Sequence, residues 1–178
     1  MTYPSSSPKV RIEFVALLAA CALFLSTVEY LIPKPVPFMR IGLANLPLII
    51  GLGLLTKREY ILLALLKVLG QGLITGTIFS YIILFSIAGT FASTLLMYIV
   101  YRFFKQWVSL IGVSIAGAMA SNVAQLTLSQ YLLFGAAAKL IAPPFLVVGL
   151  ISSIILGVFA QQFEQNSAWY RSLREGSL

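Results

Sequence analysis

The chain is 178 residues long; 60% of the residues are hydrophobic and only 10% are charged. Soluble proteins carry about 25% charged residues, so a mean hydropathy of +0.98 excludes an ordinary soluble domain. A membrane-spanning helix needs about 20 apolar residues, which leaves room for six spans joined by short loops. The composition therefore predicts an all-α, polytopic integral membrane protein, a bundle of six transmembrane helices.

Two absent residue types restrict the function further. The sequence contains no histidine and no aspartate, and its five acidic residues are all glutamates. These absences exclude a Ser-His-Asp triad, a histidine metal site and an aspartate-rich metal–diphosphate site. We expect no enzymatic activity, no catalytic residue, no metal and no cofactor. The net charge of +7 comes without a basic run or basic–aromatic alternation, so it predicts membrane topology and no nucleic-acid partner.

Turn residues and charges divide the chain into a polar tail (1–9), a transmembrane domain (10–163) and a second polar tail (164–178). Alternating prolines end the first helix, because they favour an extended chain. Pro47 interrupts the short second helix, and continuous apolar character blurs the boundary between helices three and four. The predicted helices are Ile12–Ile32, Ile41–Leu55, Tyr60–Ile78, Tyr81–Phe104, Leu110–Phe134 and Leu140–Phe163.

The distribution of lysine and arginine predicts the orientation of these helices. With the N-terminus inside the cell, eight basic residues flank the cytoplasmic side, three flank the opposite side and one lies within a helix. Short cytoplasmic loops typically carry such an excess of basic residues. We therefore expect a multi-pass protein of the cell membrane with both termini in the cytoplasm, which requires an even number of spans.

Polar residues of several helices converge on the outer half of the predicted bundle. Lys67 and Gln71 share one face of helix three, and Asn122 and Gln125 share one face of helix five. Polar groups at membrane depth are costly and usually face the bundle interior or a wet cavity. The convergence predicts an outward-facing pocket for a small molecule that is anionic or forms several hydrogen bonds. Its candidate residues are Glu29, Arg40, Asn45, Lys67, Gln71, Asn122 and Gln125.

These polar residues also have purely structural interpretations. Asn122 and Gln125 could bridge helices, which contributes about 0.6 kcal/mol each. Lys67 could extend towards the inner membrane surface. Glu29 and Arg40 could form an ion pair that closes the outer face of the bundle.

Small residues on the first helix indicate a close contact with another helix. Ala16 and Ala20 are four residues apart, a spacing that lets a second helix approach closely. Packing within the bundle is the alternative, because alanine is common in membrane helices. Cys21, the only cysteine, excludes an intrachain disulfide and is expected to be a small, buried packing residue.

Three segments resemble a family of membrane proteins called Gx transporters, or heptaprenyl diphosphate synthase component I. Segment 40–45 reads Arg-Ile-Gly-Leu-Ala-Asn and segment 69–77 reads Leu-Gly-Gln-Gly-Leu-Ile-Thr-Gly-Thr. Segment 109–118 reads Ser-Leu-Ile-Gly-Val-Ser-Ile-Ala-Gly-Ala and is followed by Asn122 and Gln125. The resemblance covers about residues 10–165. That family is in turn similar to the S components of energy-coupling-factor (ECF) transporters.

The resemblance to S components implies a six-helix subunit of an importer for a vitamin or cofactor precursor. The implied partners are this small-molecule substrate, membrane lipid, a transmembrane coupling subunit that meets Ala16 and Ala20, and ATPase subunits. The chain itself lacks the nucleotide-binding motif Gly-x-x-x-x-Gly-Lys-Ser/Thr. Lys67 stands where the family more usually has arginine, which keeps the charge but loses bidentate anion binding.

Two other functions remain open at this stage. The family label allows a non-catalytic membrane partner of a prenyl diphosphate synthase in isoprenoid or quinone metabolism. The chain cannot build the magnesium site of such a synthase itself, because it has no aspartate. A solitary facilitator that needs no ATPase is the third possibility.

Overall fold

The computed structural model describes residues 8–33 and 41–175, and this part of the chain is helical without any strand. The all-α prediction is confirmed. Three described stretches are long and apolar enough to cross a membrane: Arg11–Leu31, Ile82–Phe104 and Leu110–Asn166. The helices are α1 (Pro8–Leu31), α2 (Leu46–Gly51), α3 (Lys57–Ile74), α4 (Ile82–Phe104), α5 (Leu110–Ser129), α6 (Ala138–Asn166) and α7 (Ala168–Glu175).

The predicted second helix, Ile41–Leu55, is a broken segment. A 3-10 turn (Leu43–Asn45) leads into α2, which ends after six residues. Gly42 precedes this turn with a φ of +92°, a left-handed conformation that favours glycine. Pro47 lacks a backbone N–H and therefore fits the first turn of α2, where that group has no helical partner.

The broken segment nevertheless runs along almost the whole of α1. Its first residues bond to Glu29, near one end of α1. Arg11, near the other end, binds Glu59 in the first turn of α3. Arg11 and Glu29 are about 27 Å apart along α1, at 1.5 Å per residue. Residues 42–56 therefore return through the bundle antiparallel to α1, as the six-span prediction requires.

Helix α3 ends at Ile74, four residues before the predicted end, and α4 begins at Ile82, one residue after the predicted start. Gly76 adopts a φ of +67° just after the last turn of α3. The backbone N–H groups of Gly76 and Thr77 bond to the carbonyl groups of Leu73 and Gly72, respectively. This Schellman arrangement ends a helix on a left-handed glycine, and hydropathy contains no signal for it.

The helices form two packed groups. α4, α5 and α6 pack side by side, and α1 packs against α3 and the broken segment. The approach of α5 to α6 depends on glycine at position 157, because a Cβ atom there would lie 2.6 Å from the Cα atom of Ile111. α5 leads into a π-helical turn (Gln130–Phe134) that reverses through Gly135, which has a φ of +52°.

The polar tail predicted at 164–178 contains helical structure. α6 continues to Asn166, and α7 follows after Ser167. Tyr170 of α7 is buried against Phe163, and Trp169 packs against Phe14 of α1 with ring centroids 5.6 Å apart. These aromatic residues give the polar tail one apolar face, which holds it against the end of the bundle.

A bidentate ion pair joins the starts of α1 and α3. Arg11 Nε and Nη2 donate to the two carboxylate oxygens of Glu59, at 2.8 and 2.7 Å. The N–H and hydroxyl groups of Thr56 also donate to Glu59. Burial raises the pKa of Glu59, but the hydrogen bonds from Arg11 and Thr56 and the charge of Arg11 outweigh it. The pKa therefore lies below its ordinary value.

Replacing Arg11 by methionine should lower the free energy of unfolding by about 1–2 kcal/mol at neutral pH, because charged hydrogen bonds are lost. A lowered folded-state pKa gives stability that is present above the unfolded pKa and lost as the pH falls through the folded pKa. The difference in Tm between wild type and Arg11→Met should therefore shrink below about pH 4. Thermal unfolding of both proteins in detergent at several pH values measures this difference in Tm. Arg58→Met, at an exposed position, is the control, and a difference that does not change with pH would contradict this assignment.

Candidate functional site

A small polar cavity lies where α1, the broken segment, α3, α4 and α5 meet; we call it the central cavity. It has room for about one water molecule. Each of the five elements contributes at least one wall residue. The wall consists of Glu29, Gly42, Ala44, Asn45, Lys67, Gln71, Thr90 and Ser121.

Glu29 fixes the broken segment to the end of α1. Its side chain is only 4% exposed, and its carboxylate accepts the backbone N–H groups of Ile41, Gly42 and Leu43 at 2.8–3.0 Å. Such N–H groups at the start of a helix favour a negative charge. Both carboxylate oxygens therefore accept backbone N–H groups of the broken segment, and the side chain forms part of the cavity wall. Arg40, its predicted partner, lies outside the described residues.

Lys67 places a positive charge in the wall of the same cavity. Its side chain is 2% exposed, and its Nζ atom donates a hydrogen bond to Asn45 Oδ1. The residue lies about 15 Å from the first residue of α3 along the helix axis. The interpretation in which Lys67 extends to the inner membrane surface is therefore wrong.

Several buried polar atoms around the cavity have no hydrogen-bond partner among the described residues. Gln71 Oε1 and Thr90 Oγ1 belong to the wall, and Gln125 Oε1 lies behind it. A buried polar atom without a partner costs about 1–3 kcal/mol. A water molecule or a polar ligand that donates hydrogen bonds to these atoms would remove that cost.

The two amides predicted on α5 face different neighbours. Gln125 Nε2 donates to Ser121 Oγ at 2.8 Å, which places Gln125 one residue behind the cavity wall. Asn122 Nδ2 donates to the carbonyl oxygen of Phe145 on α6 at 3.3 Å. Ser121 and Asn122 are about 100° apart around the helix axis, so only Ser121 reaches the cavity. Asn122 thus adopts the helix-bridging position that the structural interpretation describes.

Comparison with known proteins decides the family. The family model described as heptaprenyl diphosphate synthase component I matches residues 18–163. The chain belongs to this family. No curated protein and no solved structure matches it. The matched range of this component I family member contains all eight wall residues of the central cavity.

Four of the eight residues in the wall of the central cavity are candidates that the sequence predicts. Glu29, Asn45, Lys67 and Gln71 meet at the cavity as predicted candidates. Gly42, Ala44, Thr90 and Ser121 were not among the candidates. Ser121 carried a usable signal, because it lies four residues before Gln125 and thus on the same face of α5. Among the described residues, no group of three His, Cys, Asp or Glu side chains could hold a metal ion.

The small residues of α1 lie on its outer side. Ala16, Ala20 and Cys21 are exposed, whereas Ala19 and Ala22 are buried inside the bundle. The prediction that Cys21 is buried is therefore wrong, because it lies on the same exposed side as Ala20. Ala16 and Ala20 do not serve internal packing of the described bundle, so their contact with a partner subunit stays a prediction.

Proposed function

We propose that this component I family member is the substrate-binding membrane subunit of a small-molecule importer, resembling an ECF S component. The observation that carries the proposal is the buried Lys67–Asn45 pair in a cavity with unused hydrogen-bonding atoms. Helix packing alone gives no reason to bury a lysine at this depth, because charged side chains within membrane segments are expensive and mark binding or transport paths.

The chemistry of the central cavity suits a small, polar substrate. Lys67 offers a positive charge, and Asn45, Gln71 and Thr90 offer donors and acceptors. Both oxygens of the Glu29 carboxylate accept backbone N–H groups, which limits the negative charge that a ligand meets. An anionic or multiply hydrogen-bonding vitamin or cofactor precursor fits this set. The cavity has room for about one water molecule, so binding of such a substrate requires the cavity to widen.

Transport requires an energy source outside this chain, because the sequence has no nucleotide-binding motif. ATPase subunits and a transmembrane coupling subunit fill that role in our proposal. Ala16 and Ala20 form an exposed small-residue surface, which allows a helix of the coupling subunit to approach closely. The excess of lysine and arginine on one side of the helices supports a cell-membrane protein with both termini in the cytoplasm.

A second candidate function follows from the family description. A heptaprenyl diphosphate synthase component suggests a membrane partner for a soluble prenyl diphosphate synthase. In that case the chain holds no catalytic residue, since it lacks the aspartates that bind magnesium diphosphate. A solitary facilitator without ATPase partners is the remaining alternative.

Purification with endogenous partners separates these functions. The importer should copurify with a coupling protein and ATPases, and mass spectrometry should detect a small molecule released from the purified subunit. The scaffold should instead copurify with a soluble synthase and retain no small molecule. Uptake by liposomes that contain only this chain would support the facilitator. Absence of both ATPases and a retained small molecule would overturn the importer proposal.

A further inference from the structure

A second, larger cavity lies at the end of the bundle where α4 finishes, α5 begins and α6 meets α7; we call it the end cavity. Its volume is about 410 Å³, which falls within the size range of small-molecule sites. It is separate from the central cavity and shares no wall residue with it. The inference drawn from it does not depend on the proposed function.

The wall of the end cavity favours an anion. Lys105 and Arg171 supply two positive charges and Glu164 one negative charge. Lys105 Nζ lies 5.0 Å from the centre of the Tyr101 ring, a cation–π contact that holds the ammonium group beside the cavity. Ser109, the N-cap of the 20-residue helix α5, and Leu110, its first residue, also line the cavity. The positive end of the helix dipole attracts negative charge.

Gln161 adds an unused hydrogen-bonding group to the same wall. Its Oε1 atom is buried and has no partner among the residues that the structure describes. An amide can accept from a hydroxyl group through its oxygen and donate to an oxygen atom through its nitrogen. A ligand that carries both an anionic group and a hydroxyl group would match the cations and this amide together.

Exposed aromatic side chains place the end cavity at the level of the membrane surface. Trp107, in the loop after α4, is 86% exposed, and Phe103, in the last turn of α4, is 74% exposed. Trp169, next to the buried Tyr170 of α7, is also exposed. Tryptophan and tyrosine concentrate at the boundary between hydrocarbon and headgroups. The cavity therefore opens where phospholipid phosphates lie.

We propose that the end cavity binds an anionic phosphate ester, with the phosphate between Lys105 and Arg171 and a ligand hydroxyl group on Gln161. The membrane depth favours an anionic phospholipid with a hydroxylated headgroup, such as phosphatidylglycerol. A soluble phosphate ester presents the same chemistry. The bound headgroup would link α4 to α7 across the cavity and so hold the terminal helix against the bundle.

The test measures lipid binding to the full-length protein in detergent by native mass spectrometry. Phosphatidylglycerol should bind wild type more tightly than phosphatidylcholine does. The double substitution Lys105→Gln and Arg171→Gln should weaken phosphatidylglycerol binding at least about tenfold. Gln161→Leu, which leaves the charges in place, should weaken it about two- to tenfold. The matched control is Lys57→Gln with Arg58→Gln, an equal charge change at exposed positions on the same end of the bundle. This control should change phosphatidylglycerol binding less than about twofold.

Competing glycerol 3-phosphate distinguishes the two ligand sources. Displacement of phosphatidylglycerol from wild type by glycerol 3-phosphate supports the phosphate site and identifies a soluble ester as its occupant. Failure to displace it supports the lipid. Equal weakening in the two double variants, or equal binding of phosphatidylcholine, would overturn the proposal. Thermal unfolding checks that each variant is folded, and Lys105→Gln alone provides the test if the double variant is not.

Discussion

Lys67→Met is expected to lower the amount of small molecule retained by the purified protein by about ten- to a hundredfold at limiting ligand. The substitution keeps the length of the side chain and removes a charged donor from the desolvated wall of the central cavity. Loss of such a charged hydrogen bond reduces binding by about 1.5–3 kcal/mol. The measurement is quantitative mass spectrometry of the small molecule released per mole of folded protein.

The protein should still fold with the substitution Lys67→Met. Glu29 keeps its three backbone N–H donors, and removal of a buried charge offsets the lost bond to Asn45. Asn122→Ala is the matched control, because it removes a buried amide that contacts α6 outside the cavity wall. We expect it to lower the Tm without changing ligand retention per folded molecule. Unchanged retention with a higher Tm in Lys67→Met would remove Lys67 from the binding site.

The combined substitution Ala16→Trp and Ala20→Trp is expected to abolish copurification of ATPase and coupling subunits. Both side chains are exposed on α1, so two indole rings can be added without entering the core. They would prevent the close approach of a partner helix, which depends on small residues. Ligand retention by the isolated protein should stay at the wild-type level, because the central cavity lies on the opposite side of the helix.

The control places the same rings elsewhere on the surface. Ile151→Trp with Ile155→Trp has the same spacing on α6, where both side chains are exposed, and should leave copurification unchanged. A label on Cys21, exposed beside Ala20, would report partner binding directly. Loss of folding in the α1 double variant would contradict the exposed position of this surface. Normal copurification would contradict its role as the partner contact.

Together the two experiments divide the protein into a ligand-binding part and a partner-binding part. Lys67→Met should affect the small molecule and leave the partner proteins, whereas the α1 variant should do the reverse. A scaffold for a soluble synthase predicts neither pattern, because it needs no retained small molecule. The outcomes therefore distinguish the two candidate functions even before the substrate is known.

The sequence alone was sufficient for the properties that depend on local composition and helical periodicity. Hydropathy predicted an all-helical membrane protein, since buried backbone in lipid must satisfy its own hydrogen bonds. Regular spacing placed Lys67 and Gln71 on one face, because residues four apart lie on the same side of a helix. The depth of Glu29 and Asn45 in their segments placed them near the same level. All four residues line the central cavity.

The tertiary structure decided which helix or cavity each helix face contacts. Helical periodicity groups residues on a face but carries no information about what that face contacts. Asn122 faces α6, because the rotation of α5 directs Ser121 to the cavity instead. The face of α1 with Ala16 and Ala20 points outwards because Ala19 and Ala22 take the inner side. The broken second helix keeps its course through bonds to distant residues, from Glu29 at one end to the Arg11–Glu59 pair at the other. Those partners are many residues away in the chain, so only folding brings them together.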